Sequence, residues 1–155
     1  MTTETASGTS TLSESMQVLM IGLQSELFAV DVGLVREILD PVPVTEVPGE
    51  RGFLSGIINV RGKVVPVADL RKRFDMDIAT ANIDTRFIVT EIDFDGIPTL
   101  IAIVADKVYE VTEIPAAAME EAPKIGMHWR PEFIRFIGKW KDDFVVVPNM
   151  ERIFN

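Results

Sequence analysis

The spacing of Gly56, Gly62 and Lys63 approaches that of a phosphate-binding loop, in which backbone amides and a lysine cradle a nucleotide. Five residues separate the glycines instead of four, and Val64 stands where a Ser or Thr would ligand magnesium. A strand and a hairpin turn account for the segment better. Glu91-Ile92-Asp93-Phe94-Asp95-Gly96 starts like a calcium loop, but its closing carboxylate would fall on Ala102, and Pro98 interrupts it. Alternating acids on the wet face of a hairpin explain that run. The single histidine, His128, has no base, nucleophile or second ligand near it in sequence, so a surface loop is the simpler reading. Trp129 beside it, next to Arg130, is the kind of residue that anchors protein interfaces.

Three charged groups remain. In Asn59-Val60-Arg61-Gly62, turn chemistry accounts for Gly62 and Asn59 but does not ask for arginine at a hairpin tip. There it projects a five-donor fork suited to a carboxylate or to backbone carbonyls of another protein. Val35-Arg36-Glu37-Ile38 alternates apolar and charged residues, as a strand with one wet face does, or as the wall of a shallow groove offering Val35 beside Glu37. Arg71-Lys72-Arg73 reads as a solvated basic face offset by Asp69, Asp75 and Asp77. No paired carboxylates, Ser–His arrangement or Gly-rich nucleotide loop survives, which moves the weight from enzyme to binding module.

Composition agrees. The 155 residues are 47% hydrophobic, enough for one domain or two very small ones sharing a core. Without cysteine there is no disulfide framework or thiolate site. A net charge of −9 argues against nucleic acid as a partner. The bases are nonetheless clustered: Arg51, Arg61, Lys63, Arg71, Lys72 and Arg73 face only Asp69 between 51 and 73. Residues 1–15 are Ser/Thr-rich and nearly free of apolar side chains, and are expected to be a mobile tail. They do not read as a signal peptide, and the longest apolar run, 100–105, is far short of the ~20 residues of a membrane span. A cytoplasmic location without membrane insertion is expected.

The elements that position these residues are short strands. Four hairpins are expected: 18–23 with 27–30 about Gln24-Ser25-Glu26; 56–60 with 63–67 about Arg61-Gly62; 87–94 with 97–104 about Asp95-Gly96; and 136–140 with 144–147 about Lys141-Asp142-Asp143. Pro66, Pro98 and Pro148 mark edges, strand ends or bulges. Short turns or helices are expected at 31–35, at 70–74 capped by Asp69, at 115–121, and at 150–154 capped by Asn149. The chain also hints at a repeat. Val35-Arg36-Glu37-Ile38 resembles Val108-Tyr109-Glu110-Val111, and Val64-Val65-Pro66 resembles Val146-Val147-Pro148. A rival match, of 44–48 with 111–115, has another offset. Two similar five-stranded barrels joined near 75–84 would fit.

From Gly56 the chain reads G-x-x-N-x-R-G-x-x-x-P-x-x-D-L-R, ending at Arg71. With Phe28-Ala29-Val30, Val35-Arg36-Glu37-Ile38, Val47-Pro48-Gly49, Ile103-Val104-Ala105-Asp106-Lys107-Val108 and the Val147-Pro148 close, this resembles the CheW family of bacterial chemotaxis adaptors over most of 18–154. The resemblance implies a mainly β fold of two pseudo-symmetric SH3-like barrels spanning 16–155. The first would take about 16–75 with contributions from the chain end, the second about 85–148. It implies a non-catalytic adaptor, without cofactor or metal, monomeric when free. Such an adaptor couples chemoreceptor cytoplasmic tips to the regulatory domain of a CheA-type histidine kinase, which shares the fold and alternates with it in rings. By motif, the receptor groove would hold Val35, Glu37, Arg61, Val108 and Val111. Kinase contacts would use Val42, Val44 and Ile57 on the first barrel and Ala122, Pro123 and Ile125 on a second-barrel loop. The loop from 120 to 131 departs from the family pattern, and Asn149 stands where an acid is usual. With no receiver or kinase domain in the chain, the resemblance is to the adaptor itself. A free-standing SH3-like binder of peptides or small ligands is the alternative from another class.

Overall fold

Val18 to Leu23 is apolar without interruption except Gly22, and both faces of that strand are buried. Two-sided burial of a period-two element requires apolar layers on both sides. The computed structural model, which describes residues 15–47, 54–77, 80–121 and 130–154, supplies them. Ten strands form two five-stranded sheets. They are β1 (Ser15–Leu23), β2 (Glu26–Asp31), β3 (Val35–Leu39), β4 (Leu54–Val60), β5 (Lys63–Ala68), β6 (Arg86–Phe94), β7 (Ile97–Ala105), β8 (Lys107–Pro115), β9 (Ile134–Trp140) and β10 (Asp143–Pro148). Two one-turn helices, α1 (Leu70–Arg73) and α2 (Met150–Phe154), follow β5 and β10. The mainly β class and the four hairpins are as expected. The turns 24–25 and 141–142 are each a residue tighter than the sequence suggested.

One sheet has the order β3-β6-β7-β5-β4 and makes the first barrel; the other, β8-β1-β2-β10-β9, makes the second. The division at 75–84 therefore does not hold as expected. Hairpin β1–β2, assigned by sequence to the first barrel, pairs with β8 and β10 of the second. Hairpin β6–β7 pairs with β3 and β5 of the first. The sequence repeat itself is real: β1 to α1 recurs as β6 to α2, with β3 matching β8 and β5 matching β10. Each repeat lends its first hairpin to the other's barrel. The rival match fails, because Thr45 bridges to β4 whereas 111–115 continue β8.

This exchange places the largest core cluster between the barrels. Leu19, Ile21 and Leu23 of β1 face Ile88 and Ile92 of β6 and Ile101 and Ile103 of β7 in it, while the alternate residues Val18 and Met20, or Phe87 and Val89, fill the separate barrel interiors. Thr90, fully buried, satisfies its hydroxyl on the Ile101 carbonyl at 2.8 Å. Phe74, just past α1, stacks on Phe28 at 5.9 Å and leans on Phe133 at 6.1 Å, so aromatics from both repeats meet. Burying each such side chain is worth ~1.5–3 kcal/mol.

The prolines fall where the ladder does not need their amide. β5 meets β7 only from Val67, beyond Pro66, and β7 meets β5 only near Ala102, well past Pro98. Pro148 follows a register shift in β10. Asp31 caps a 3-10 turn over Val32–Leu34 through the Gly33 amide at 2.9 Å. Asp69 caps α1, and Asn149 caps α2 through the Arg152 amide at 3.2 Å. Of 115–121, only Ala116–Ala118 is helical.

The basic run after Asp69 needs correction. Arg71 is not solvated but 6% exposed. Its guanidinium forks onto both Asp69 oxygens at 2.8 Å and reaches Asp106 Oδ1 at 2.6 Å. Asp106 Oδ2 accepts the Gln24 amide at 2.7 Å. A buried ion group thus ties α1 to the β7–β8 junction and the β1–β2 turn. The Asp69 hydrogen bond, outweighing burial, holds the Arg71 pKa above its ordinary value. Lys72 is exposed, and Arg73 lies over the Phe133 ring at 4.6 Å.

Candidate functional site: an arginine clasp at the barrel seam

In the first barrel β3 and β4 end the sheet order, so closing the barrel means joining them. The chain after β3 does this with its backbone: Thr45 and Ile57 exchange amide–carbonyl hydrogen bonds of 2.9 Å each. Gly56 permits that approach. Its φ is +149°, and a Cβ there would sit 2.2 Å from the Thr45 carbonyl oxygen and 2.9 Å from Val44 Cγ1.

Arg61 and Glu37 complete the seam. The β4–β5 turn has Arg61 at φ +50° and Gly62 at +87°, both left-handed, as a two-residue turn of type I′ requires. Asn59 Oδ1 accepts the Gly62 amide at 2.8 Å. A register shift beside Glu37 leaves Arg36 as an extra residue and aims the carboxylate across the seam. Arg61 Nη1 donates to Glu37 Oε2 at 2.7 Å and Nη2 donates to Oε1, a fork on a carboxylate. The Arg61 hydrogen bond holds the Glu37 carboxyl below its usual range, against the opposing effect of burial, and Glu37 in turn raises the arginine. The Arg61 side chain is 74% exposed and that of Glu37 23%. Glu37 therefore orients the fork, and the remaining guanidinium donors face solvent.

The other expected groove residues lie on both sheets, and no contact joins Val108 or Val111 to this pair among the described residues. Val35 on β3 and Val108 on β8 are half-buried and pack on the same inter-barrel core cluster, one from each barrel. Val111 stands exposed on β8, opposite Leu19 of β1. Val42 and Val44 are exposed just before the Thr45–Ile57 bridge, which sets Val44 beside Gly56, next to Ile57. Ala122, Pro123 and Ile125, with His128 and Trp129, lie outside the described residues.

Sequence reading missed a counterpart. Glu110 on β8 occupies the place of Glu37, and Lys141 at the β9–β10 tip, φ +50°, occupies that of Arg61. Lys141 Nζ lies 3.2 Å from Glu110 Oε1, and Glu120 bridges Ile137 as Thr45 bridges Ile57. The match of 35–38 with 108–111 held the signal for Glu110; nothing in it pointed to Lys141.

A family model for the CheW-like domain matches residues 17–155. The chemotaxis protein CheW of Bacillus subtilis is 32% identical over 111 residues, 72% of this chain and 67% of that one. That of Treponema pallidum is 21% identical over 142 residues, 92% of this chain and 84% of its own. The crystal structure of the scaffolding protein TtCheW from Thermoanaerobacter tengcongensis superposes with a TM-score of 0.81 at 29% identity, covering 92% of this chain and 89% of that one. Two exchanged barrels and the signature running from Gly56 through Arg61 to Arg71 thus have a common explanation: the chain belongs to the CheW-like domain family.

Proposed function

We propose that this chain is a non-catalytic adaptor of a chemotaxis system, coupling chemoreceptor cytoplasmic tips to a CheA-type histidine kinase. The observation that carries the reading is the Arg61 fork, held by Glu37 on a left-handed turn that favours glycine or asparagine. A receptor tip is a helical hairpin, with an apolar stripe along it and a polar turn at its end. Val35 and Val108 meet the stripe, while Arg61 grips the polar end. Val42, Val44 and Ile57 supply a kinase contact on the first barrel, and 122–125 a second. In this reading the protein works in the cytoplasm, is monomeric when free, and gains strength from repeated weak contacts in the array.

Arg61→Asn tests the groove, because asparagine tolerates positive φ while removing the guanidinium and its reach. The variant is expected to stay folded, with only a small fall in its unfolding midpoint from the loss of an exposed ion pair, and to lose at least about tenfold in affinity for an isolated receptor tip, a change of ~1.4 kcal/mol. Unchanged affinity would remove Arg61 from the site.

A further inference from the structure

The chain changes sheet twice, and the two crossings are built differently. From β2 to β3 it passes through the capped 3-10 turn Val32–Leu34. From β7 to β8 a single residue, Asp106, makes the whole step. A one-residue step has no turn of its own to aim the next strand, so contacts must aim it. Asp106 makes three. Its amide donates to the Gly22 carbonyl of β1 at 2.9 Å. Its Oδ2 accepts the Gln24 amide at 2.7 Å, and its Oδ1 accepts Arg71 Nη1 at 2.6 Å. The first two contacts come from the β1–β2 hairpin, which shares a sheet with β8. Arg71 comes from α1, directly after β5 of the other sheet.

The guanidinium is itself fixed. Both oxygens of Asp69, the α1 cap, hold it at 2.8 Å, so Nη1 is presented to Asp106 in one direction. Gln24 extends the tie, its side-chain amide donating to the Asp77 carbonyl just past α1. A buried ion pair seldom adds more stability than an apolar contact of the same volume, and its gain is in geometry. Here the geometry concerns β8. Val108 lies two residues beyond Asp106 and Val111 five, and these are the second-barrel residues of the receptor groove. Val108 packs on the same core cluster as Val35 of the first barrel. We propose that Arg71 is a positioning residue for receptor binding: through Asp106 it sets the direction in which β8 leaves the crossing, and so where Val108 stands relative to Val35. Arg71 is buried and takes no part in the contact itself. The proposal rests on the adaptor reading, since it takes a receptor tip as the ligand.

Asp106→Asn is the main test variant. It keeps an acceptor for the Gln24 amide and leaves Arg71 paired with Asp69, so no buried charge is orphaned. Arg71→Lys is the second, offering one ammonium where the fork held two carboxylates. Val145→Ala, in the separate second-barrel interior, is the destabilised control. Amide hydrogen exchange of the full 15N-labelled chain and its affinity for an isolated receptor-tip hairpin are measured at a temperature where urea unfolding shows every variant folded. In both test variants exchange along 107–109 is expected to speed at least about tenfold, while the β9–β10 hairpin is unchanged. Tip affinity is expected to fall at least about fivefold in both, and to stay at the parent's level in Val145→Ala. Parent-level affinity in both test variants would overturn the proposal, and with faster exchange it would leave Arg71 a purely structural residue. A fall in affinity without the change along 107–109 would overturn it too. So would an equal fall in Val145→Ala, which would assign the effect to stability. Failure of the parent chain itself to bind the tip is a separate result, which would remove the adaptor reading and this role with it.

Discussion

Arginine at φ +50° is an uncommon choice, because its Cβ crowds the backbone there while glycine and asparagine do not. What the position gains is direction: a fork fixed by Glu37 yet largely open to solvent. This makes a titration prediction. Because the folded Glu37 pKa lies below the unfolded value, the pair's contribution to stability is present above the ordinary glutamate range and is lost as pH falls through the depressed value. A carboxyl NMR titration of Glu37 is expected to show a midpoint below the ordinary range, returning to it in Arg61→Asn. A midpoint unmoved by that substitution would detach the two residues. Sequence alone singled out both residue types but not their union, since 24 positions and a barrel seam separate them. Arg71 was misread for the same reason. Its burial depends on Asp106, 35 residues away and in the other repeat, so the nearby acids gave only half the answer.

The hairpins were legible because they are local: alternation, a two-residue turn and prolines at ladder ends all lie within twenty residues of one another. The closing segment after β3 was not, because a single bridge, Thr45 to Ile57, has no periodic pattern. Gly56 is the residue that makes the bridge possible. Gly56→Ala would place a methyl against the Thr45 carbonyl and hold alanine at a φ suited to glycine. Urea unfolding should show a loss of ~1–3 kcal/mol or more. If Val44 makes the kinase contact proposed above, binding of the kinase regulatory domain should fall with it. A variant as stable as the parent would mean that the segment does not close the barrel.

At the scale of the molecule the repeat was visible but the barrels were not. Each repeat opens with a hairpin whose own pattern does not name its partner, and the long-range pairings β1–β8 and β3–β6 decide. The largest core cluster is therefore common to both repeats, and neither repeat carries a complete barrel. Fragments 1–79 and 80–155 made separately are expected to give collapsed amide spectra, and mixing them should restore dispersion. A dispersed spectrum from either alone would contradict the exchange of hairpins. Val35 and Val108 both pack on that shared core, so a groove built from them would depend on the whole fold. The most direct measurement of the adaptor reading is a bridging assay, with a receptor-tip hairpin immobilised and the kinase regulatory domain passed over it with and without this chain. Retention of the kinase domain only when the chain is present, lost in Arg61→Asn, is the predicted result. Failure to bridge, or bridging by the variant at the parent's level, would contradict the account.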